Sequence, residues 1–600
     1  MPQPTAKSMT SAAALGVEPL PAVVAPKMAA TLIGDSASRA ALDRLDAAVA
    51  ELKAMAVQPL LQQAVAALQA DDFVRGGDLA MKALEMDERN GFGWYLMAIA
   101  RERAGDFGLS VKCYESALTL IPDHAEVAND LGRLAYRMGM TDTAEKLFAH
   151  YLTTHPGSPE ASNNLACALR DQGRFSDAIE VLRPAIELNP VNALLWNTLG
   201  TVIGEQGDPA LSATFFDEAL RLDPAMAKAR YNRGNARLAL GDPEGALADV
   251  QQAMTGAVND EERLMMQIAR STIRLALGHT AEGWDDYEAR LQPRFADVTR
   301  FYIDRPRWTP DSDLAGKSVL VYGEQGLGDE ILFANTLPDL VEAIGSEGRL
   351  RLALEKRLIP LFERSFPTIE IGAHASFAID GKTLRGAPFV ENTADVDLWA
   401  PIGSLLRRFR RSPDAFPRRE RYLTPDPERV DHWRAQLAAL PGPKVGLLWK
   451  SMIRNGARHR YFSPFEQWAP VLTAPGATFV NLQYGDCSAE LALAREQFGI
   501  EIWQPPGIDL KNDLDDVAAL CCAMDLVVGF ANATINLAGA CGAPMWLITV
   551  VNAWPMLGTG AYPWYPQARC FASADYQDWT PVMTEVGQAL RERFGLGGAT

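Results

Sequence analysis

The sequence contains no pattern that would place the protein in a membrane, in an oxidising compartment or around a metal ion. No run of eighteen apolar residues occurs, and the first residues show no basic segment followed by an apolar one. The seven cysteines are an odd number, with no CxxC pair and no histidines at zinc-ligand spacing. We therefore expect a cytoplasmic protein with reduced thiols, without stable membrane insertion and without a bound metal.

Positive charge is also scarce. The chain has 57 Lys and Arg against 75 Asp and Glu, a formal net charge of -18 and a pI near 5.0. Because proteins that hold nucleic acid need a basic face to neutralise phosphates, this balance argues against a nucleic-acid partner. What is present is apolar: 48% of the 600 residues are hydrophobic, which is enough for large cores in several domains.

A 34-residue repeat runs through the first half of the chain. Pro122, Pro156, Pro190 and Pro224 each lie 34 residues from the next. Small residues recur at the same offset, as two interlocking helices require. These positions are Ala83, Ala117, Ala185, Ala219 and Ala253, with Tyr151 in the same register. The spacing resembles that of tetratricopeptide repeats, which form an α-solenoid of helical hairpins, and covers residues 57–258. We expect residues 1–36 to be disordered and residues 37–56 to form a leading helix.

Asparagine also recurs in this repeat, on the first helix of successive hairpins. Asn129, Asn163 and Asn197 are spaced by 34 residues, on the face that lines the groove of a solenoid. An amide can both donate to and accept from a peptide backbone, so these side chains are candidates for an acceptor groove that holds a protein. The alternative is that asparagine is merely tolerated on a solvated helix face.

The second half of the chain has a different pattern. Residues 259–315 remain helical in pattern and then become rich in Pro and Asp, which predicts a helical cap and a linker. Short apolar strands then alternate with helices, first over residues 316–425 and again over residues 426–600. This alternation predicts two α/β Rossmann-like domains, each with a mainly parallel sheet, and a cleft between them.

Polar residues follow three of the predicted strands, where ligands of such sheets bind. The first strand leads into a glycine-rich loop and Asp329, and the loop has neither the dinucleotide fingerprint nor the Lys-Ser/Thr of a P-loop. The other two sets suggest an anionic ligand such as a phosphate. They contain Lys450, Arg458 and Arg460 after one strand, and Asn532, Thr534 and Asn536 after another.

Each set also has a plainer interpretation. Asp329 and the turn around Asn532 would serve equally as ordinary helix caps, and Lys450 with its neighbours would serve as a solvated basic loop. The sequence contains no HExxH, GxSxG or two-carboxylate motif, so a hydrolase or a zinc enzyme has little support.

An ordered series of motifs resembles one family. The motifs are "GWDDYEARL", "RPRW", "LAGKSVLVYGEQGLGDEILFANTLP", "VGLLWK", "RHRYFSPFEQWAPVL", "TFVNLQYGD", "DLDDVAALCCAMDLVVGFANATINLAGACGAPMWLI" and "YPWYPQARCF". They resemble bacterial proteins that join tetratricopeptide repeats to a GT-B glycosyltransferase domain, akin to heptosyltransferases and to protein O-GlcNAc transferase. The full layout is similar to that of alphaproteobacterial flagellin O-glycosyltransferases, which use a nonulosonic acid such as pseudaminic acid.

This resemblance implies a metal-independent transferase of the GT-B fold that acts on a protein acceptor, flagellin, in flagellum assembly. A nucleotide-sugar would be the co-substrate and would bind mainly to the C-terminal domain, with no further cofactor. Lys450 and Arg460 would offset phosphate charge, and Asn532, Thr534 and Asn536 would lie beside the donor. Asp329 would accept the proton of a Ser or Thr hydroxyl. Glu324 and Glu330 are second choices for that base.

One departure from the family pattern bears on the donor. Where many relatives carry an Asp-Thr pair and then a His, this chain has Ala531, Asn532 and Asn536, which is compatible with a different donor such as a CMP-linked sugar. Two alternatives to a protein glycosyltransferase remain open. One is a non-catalytic adaptor or secretion factor, and the other is a glycosyltransferase for lipid or polysaccharide acceptors.

Overall fold

The computed structural model describes residues 36–379, 382–451, 461–575 and 578–596. The chain divides into two compact units, Met1–Thr154 and His155–Thr600. Residues 1–35 of the segment predicted to be disordered lie outside the described residues, and so do the predicted donor residues Arg458 and Arg460.

The first unit consists of helical hairpins. Aspartate and asparagine side chains begin several of its helices: Asp72, Asn90 and Asp106 each accept a hydrogen bond from a backbone N–H one turn on. Small and aromatic residues such as Ala83 and Tyr114 fill its core. The helices are α1 (Ser36–Gln69), α2 (Phe73–Met86), α3 (Gly91–Arg103), α4 (Phe107–Leu120), α5 (Ala125–Arg137) and α6 (Thr141–Thr154).

The second unit begins with further hairpins of the same kind. A Cβ atom at Gly200 would lie 2.7 Å from the ring of Phe216, so a small residue of one helix meets a large residue of the next in this hairpin. The helices are α7 (Pro159–Asp171), α8 (Phe175–Leu188), α9 (Ala193–Gln206), α10 (Pro209–Leu222), α11 (Ala227–Ala239), α12 (Pro243–Thr255), α13 (Asp260–Ala276) and α14 (Thr280–Tyr287).

The last hairpin, α13–α14, has the construction of the one before it. In α11–α12, Arg233 holds the buried Asp249 at 2.6 Å, and in α13–α14, Arg270 holds the buried Asp286 at 2.7 Å. Each member of the first pair is 37 residues from its counterpart in the second. Three additional residues therefore end the 34-residue register after α12, and the segment predicted to be a cap is one more hairpin.

Two parallel sheets follow. The first has the order β4-β3-β2-β7. Its elements are β2 (Ser318–Tyr322), α15 (Leu327–Phe333), α16 (Leu337–Ile344), β3 (Arg349–Leu354), α17 (Ile359–Ser365), β4 (Glu370–Ala373), β7 (Leu398–Pro401) and α18 (Leu406–Phe409). A small separate sheet, which the sequence did not predict, contains β1 (Thr299–Phe301), β5 (Ala375–Ile379) and β6 (Lys382–Gly386).

The second sheet has the order β9-β8-β10-β11-β12, with all neighbours parallel. Beside β9, the segment "IEIWQ" forms a single bridge to the sheet, between Val480 and Trp503. The elements are α19 (Pro427–Ala438), β8 (Lys444–Leu448), α20 (Ala469–Leu472), β9 (Thr478–Asn481), α21 (Ser488–Phe498), α22 (Leu514–Ala523), β10 (Leu526–Phe530), α23 (Ala533–Ala540), β11 (Met545–Val550), β12 (Ala568–Ser573) and α24 (Thr580–Phe594).

Each sheet reverses its strand order at one place, between β2 and β7 in the first and between β8 and β10 in the second. The carboxyl ends of strands at such a reversal are where doubly wound folds bind ligands. One buried core joins the two sheets to the last hairpin, since it contains Trp284 of α14 together with Leu352 and Leu547 of the sheets. Among the described residues, no helix has the length and apolar composition needed to cross a bilayer.

Candidate functional site

The loop that follows β2 brings Asp329 to the first turn of α15. Asp329 Oδ2 accepts a hydrogen bond from the backbone N–H of Gly326 at 3.1 Å, so the predicted capping contact is present. Gln325 in the same loop is exposed and has a φ of 60°. A residue other than glycine in this left-handed region carries backbone strain, which is frequent at functional sites.

This loop contacts the start of α23, the helix that follows β10. The Nδ2 atom of Asn536 donates a hydrogen bond to the carbonyl oxygen of Gly328 at 3.0 Å. A Cβ atom at Gly328 would lie 3.5 Å from the backbone nitrogen of Ala533. The N-termini of α15 and α23, which follow strands of different sheets, therefore meet at Gly328.

A buried chain of hydrogen bonds extends from this contact. The hydroxyl of Tyr565 donates to Asn536 Oδ1 at 3.3 Å, and the hydroxyl of Tyr422 donates to the carbonyl oxygen of Ile331 at 2.8 Å. The two tyrosine hydroxyls are 3.3 Å apart. Asn536 thus links α15 to α23 directly and through the tyrosines, a function in addition to the donor contact predicted for it.

We expect Asn536→Leu to lower the free energy of unfolding by about 1–3 kcal/mol, because it leaves the half-buried carbonyl of Gly328 and the buried hydroxyl of Tyr565 with fewer partners. Thermal unfolding followed by circular dichroism would measure the change. Asn512→Leu, at an exposed asparagine, is the matched control and should shift stability by no more than about 0.5 kcal/mol. Equal effects of the two substitutions would contradict the assignment.

Asn532 and Thr534 also lie at the start of α23. Asn532 Oδ1 caps the helix by accepting from the N–H of Ile535 at 3.1 Å. Its Nδ2 atom is buried and has no hydrogen-bond partner within the described parts of the chain. Thr534 is buried in the first turn. The turn therefore offers one unused side-chain donor at a helix N-terminus, where an anionic group is favoured.

Lys450 follows β8, beside β10 in the sheet. Its Nζ atom is 2.5 Å from Oε1 of Glu490, and its backbone N–H donates to Oε1 of Gln483 at 2.9 Å. Both ends of the lysine are thus held in place. An anionic ligand at Lys450 would compete with Glu490 for the ammonium group.

Glu324, a second choice for the base, lies buried under the reversal point of the first sheet. Arg290, from the 3-10 turn Glu288–Leu291 after α14, bonds both of its oxygens at 2.6 and 3.0 Å. The N–H of Gly403, after β7, donates to the same carboxylate at 2.8 Å. These contacts favour a structural role for Glu324.

Arg290 is the centre of a larger cluster that the sequence did not reveal. It also bonds Glu288 Oε1 at 3.0 Å, and Ser404 Oγ donates to that atom at 2.7 Å. Burial alone would raise the pKa of Glu288, but the charges of Arg290 and Arg307 and these hydrogen bonds outweigh it and hold that pKa below its usual value. The last hairpin is therefore fixed to the strand ends of the first sheet by buried ion pairs.

Glu330, the other second choice, is buried behind the loop. Its Oε2 atom accepts from the N–H of Glu355 at 2.9 Å, and its Oε1 atom is 3.0 Å from Nε2 of His374. Arg385 lies 3.7 Å from the same oxygen and donates to the carbonyl of Gly323. Glu330 thus supports the loop from its buried side, and the role of half-buried Asp329 as a base stays a prediction.

Two tyrosines lie within electrostatic reach of Asp329. Burial raises the pKa of Tyr287 and of Tyr562, and the negative charge of Asp329 contributes to both shifts. Both phenols therefore stay protonated at neutral pH. Asp329 itself lies in the first turn of a helix, where a carboxylate is favoured, and its charge acts on these two phenols.

The asparagines of the repeats form lateral contacts between first helices. Thr198 donates to Oδ1 of Asn163 at 2.5 Å, and Asn232 donates to Oδ1 of Asn197 at 2.9 Å. In the first unit Asn129 is buried, and its Oδ1 atom has no partner among the described residues. Asn163 and Asn197 thus use at least part of the hydrogen-bonding capacity of their side-chain amides on neighbouring first helices. Their contact with an acceptor protein stays a prediction.

Comparison with known proteins shows the repeat family. Residues 95–159, 163–225 and 198–261 match the family described as Tetratricopeptide repeat. Protein O-mannosyl-transferase TMTC1 of Mus musculus is 27% identical over 157 residues, which is 26% of this chain and 17% of that protein. A solved tetratricopeptide repeat protein from Parabacteroides merdae aligns with a TM-score of 0.35 at 16% identity, over 39% of this chain and 91% of that one.

A second relative matches both halves of the chain. Protein FlbA of Caulobacter vibrioides is 54% identical over 568 residues, which is 94% of this chain and 95% of that protein. Identity of this extent covers the repeats, both parallel sheets and the loops between them. The chain belongs to the FlbA family.

Proposed function

We propose that the protein is a glycosyltransferase that moves a sugar from a nucleotide-sugar to Ser or Thr of a protein acceptor held by its repeats. The observation that carries the proposal is the contact between Gly328 and Asn536. It brings together the strand-end loops of two doubly wound sheets, and with them Asp329 and the start of α23. This arrangement is the one expected of a GT-B fold with lobes at residues 316–425 and 426–600.

In the proposed reaction, Asp329 takes the proton from the acceptor hydroxyl while the oxygen of that hydroxyl attacks the anomeric carbon of the sugar. The bond between that carbon and the phosphate oxygen breaks, and the nucleotide leaves with the electron pair. The N–H groups at the start of α23, together with Nδ2 of Asn532, would stabilise the phosphate charge that develops. Lys450, Arg458 and Arg460 would supply positive charge, so the proposal needs no metal.

The repeats support a protein as the acceptor of the sugar. Tetratricopeptide hairpins build grooves that suit an extended peptide or a helix of a partner. We infer that the partner is flagellin, as the sequence resemblance implies, and that the sugar is a nonulosonic acid such as pseudaminic acid carried by CMP. A donor of this kind has one phosphate and its own carboxylate, so several cations would still be useful.

A second candidate function is a binding protein or secretion adaptor without catalysis. The pairing of Lys450 with Glu490 and the use of Asn536 between helices favour it, because both side chains already have partners. The two candidates differ in one outcome. An adaptor would retain and deliver its partner without changing the mass of that partner.

Intact mass spectrometry of flagellin from cells with and without this chain tests the proposal. We expect a mass increment equal to whole sugar residues only when the chain is present. An increment that persists without the chain would assign the transfer to another enzyme. Flagellin that binds the chain but never gains mass would support the adaptor.

A further inference from the structure

The first half of α1 exposes a stripe of large apolar side chains. All residues from 39 to 49 and from 51 to 56 are exposed, and the stripe contains Leu42, Leu45, Val49 and Leu52, which are 49%, 59%, 43% and 66% exposed. A helix of this length without packing is only marginally stable in water. An apolar stripe along it therefore points to a partner that covers it.

The spacing of the stripe is that of a coiled-coil seam. Leu42, Leu45, Val49, Leu52 and Ala56 are separated by three, four, three and four residues, which is the alternation of a and d positions in a heptad repeat. A seam of this kind fits another helix of the same spacing, and a second copy of α1 provides one.

The exposed stripe is not an extension of the face that α1 packs against its own unit. The second half of α1 buries Val57, Leu61 and Ala64. Val57 follows Ala56 directly, and successive residues of a helix are about 100° apart around its axis. The packed face and the exposed seam therefore point in different directions, and the hairpins of the same unit do not cover the seam.

The charges beside the seam indicate how two copies would pair. Arg39, Asp46 and Lys53 occupy successive e positions and alternate in sign, whereas Ala41, Ala48 and Met55 at the g positions carry no charge. Parallel coiled coils pair g with e, while antiparallel ones pair e with e. Only the antiparallel arrangement can therefore join opposite charges in this sequence.

We propose that the protein associates with a second copy of itself through an antiparallel coiled coil of residues 45–56. In this register Val49 of one copy is level with Leu52 of the other, and Asp46 of each copy lies beside Lys53 of the other. The shared segment is only about two heptads long, so the association is weak and depends on protein concentration. This inference does not rest on the proposed function.

Sedimentation velocity of the full chain over a series of concentrations tests the proposal. We expect the average mass to rise from 65.4 kDa toward twice that value as concentration increases. Leu45→Glu with Leu52→Glu should abolish the rise. The matched control, Ala47→Glu with Ala54→Glu, adds the same charge on the opposite face and should leave the association within about threefold, since it does not contact the seam.

Charge exchange tests the orientation. Asp46→Lys should weaken the association about tenfold or more, because it places like charges beside each other in both symmetric pairs. Adding Lys53→Asp to it should restore the association. A chain that stays monomeric at every concentration, a rise that survives the two glutamates, or charge variants without effect would each overturn the proposal. Circular dichroism would show that all variants keep their repeats folded.

Discussion

Asp329→Asn is expected to slow sugar transfer by about 10²- to 10⁴-fold, the contribution of a positioned general base. The side chain keeps an oxygen that can accept from the N–H of Gly326, as the carboxylate does at 3.1 Å, so the helix cap survives. What is lost is the ability to take a proton. Rates measured with purified chain, nucleotide-sugar and acceptor should fall while acceptor affinity stays the same.

The matched control for this substitution is Asp242→Asn. Asp242 also caps a helix N-terminus, as the N-cap residue of α12 that accepts from the N–H of Gly245 at 2.8 Å, but it lies in the repeats rather than at the strand ends. We expect its substitution to leave the transfer rate unchanged within about twofold, as for a surface change far from the site. If Asp329→Asn transferred sugar as fast as Asp242→Asn does, Asp329 would be only a cap.

Arg290→Met is expected to lower the free energy of unfolding of the second unit by about 3–5 kcal/mol, the usual cost of removing one partner of a buried ion pair. Glu324 is 1% exposed and would keep its negative charge after losing both hydrogen bonds from Arg290. The N–H of Gly403 would still donate to it, and Arg385 would still interact with its charge. Urea unfolding followed by tryptophan fluorescence would measure the loss, since the buried Trp284 lies in the adjoining helix.

Two further variants test whether the loss of stability comes from breaking the buried pair of Arg290 and Glu324 or from removing any positive charge. Arg294→Met removes an exposed arginine from the same region and should cost at most about 1 kcal/mol. Arg290→Met combined with Glu324→Gln should recover part of the loss, because the neutral amide no longer leaves a buried charge. A double variant less stable than Arg290→Met alone would contradict this account.

The ion-pair cluster around Arg290 should lose stability in acid. Because the pKa of Glu288 is lowered in the folded state, its stabilising contribution is complete above the pKa of an unfolded glutamate. That contribution is lost as the pH falls through the lower folded value. The wild-type chain should therefore lose more stability than Arg290→Met when urea unfolding is repeated below the ordinary glutamate range.

The repeats could be predicted because packing imposes their spacing. A small residue must meet a large one in every hairpin, as Gly200 meets Phe216, and this produces a fixed period in the sequence. The 34-residue period did not reveal the last hairpin, because three additional residues shift that hairpin out of register. With an offset of 37 residues, Arg290 occupies the position that Ala253 holds in the preceding hairpin.

The strand ends were predictable for a similar reason. Apolar strands that alternate with helices place their following residues at one edge of a sheet, and this located Asp329, Lys450 and Asn532. The partners of the strand-end residues were not predictable. Glu490 pairs with Lys450, Tyr565 with Asn536 and Arg290 with Glu324. These partners come from distant parts of the chain, and no local pattern records which side chain reaches a given site. Edge strand β12 was missed because it alternates buried and exposed residues in a short segment.

Fragmentation mass spectrometry that maps sugar on flagellin would show whether this chain performs the transfer. Flagellin would be isolated from cells that contain the wild-type chain, the Asp329→Asn chain or neither. We expect sugar on Ser or Thr side chains with the wild-type chain alone, while Asp329→Asn still binds flagellin. The same sugars on flagellin from cells with Asp329→Asn, or from cells without the chain, would contradict it.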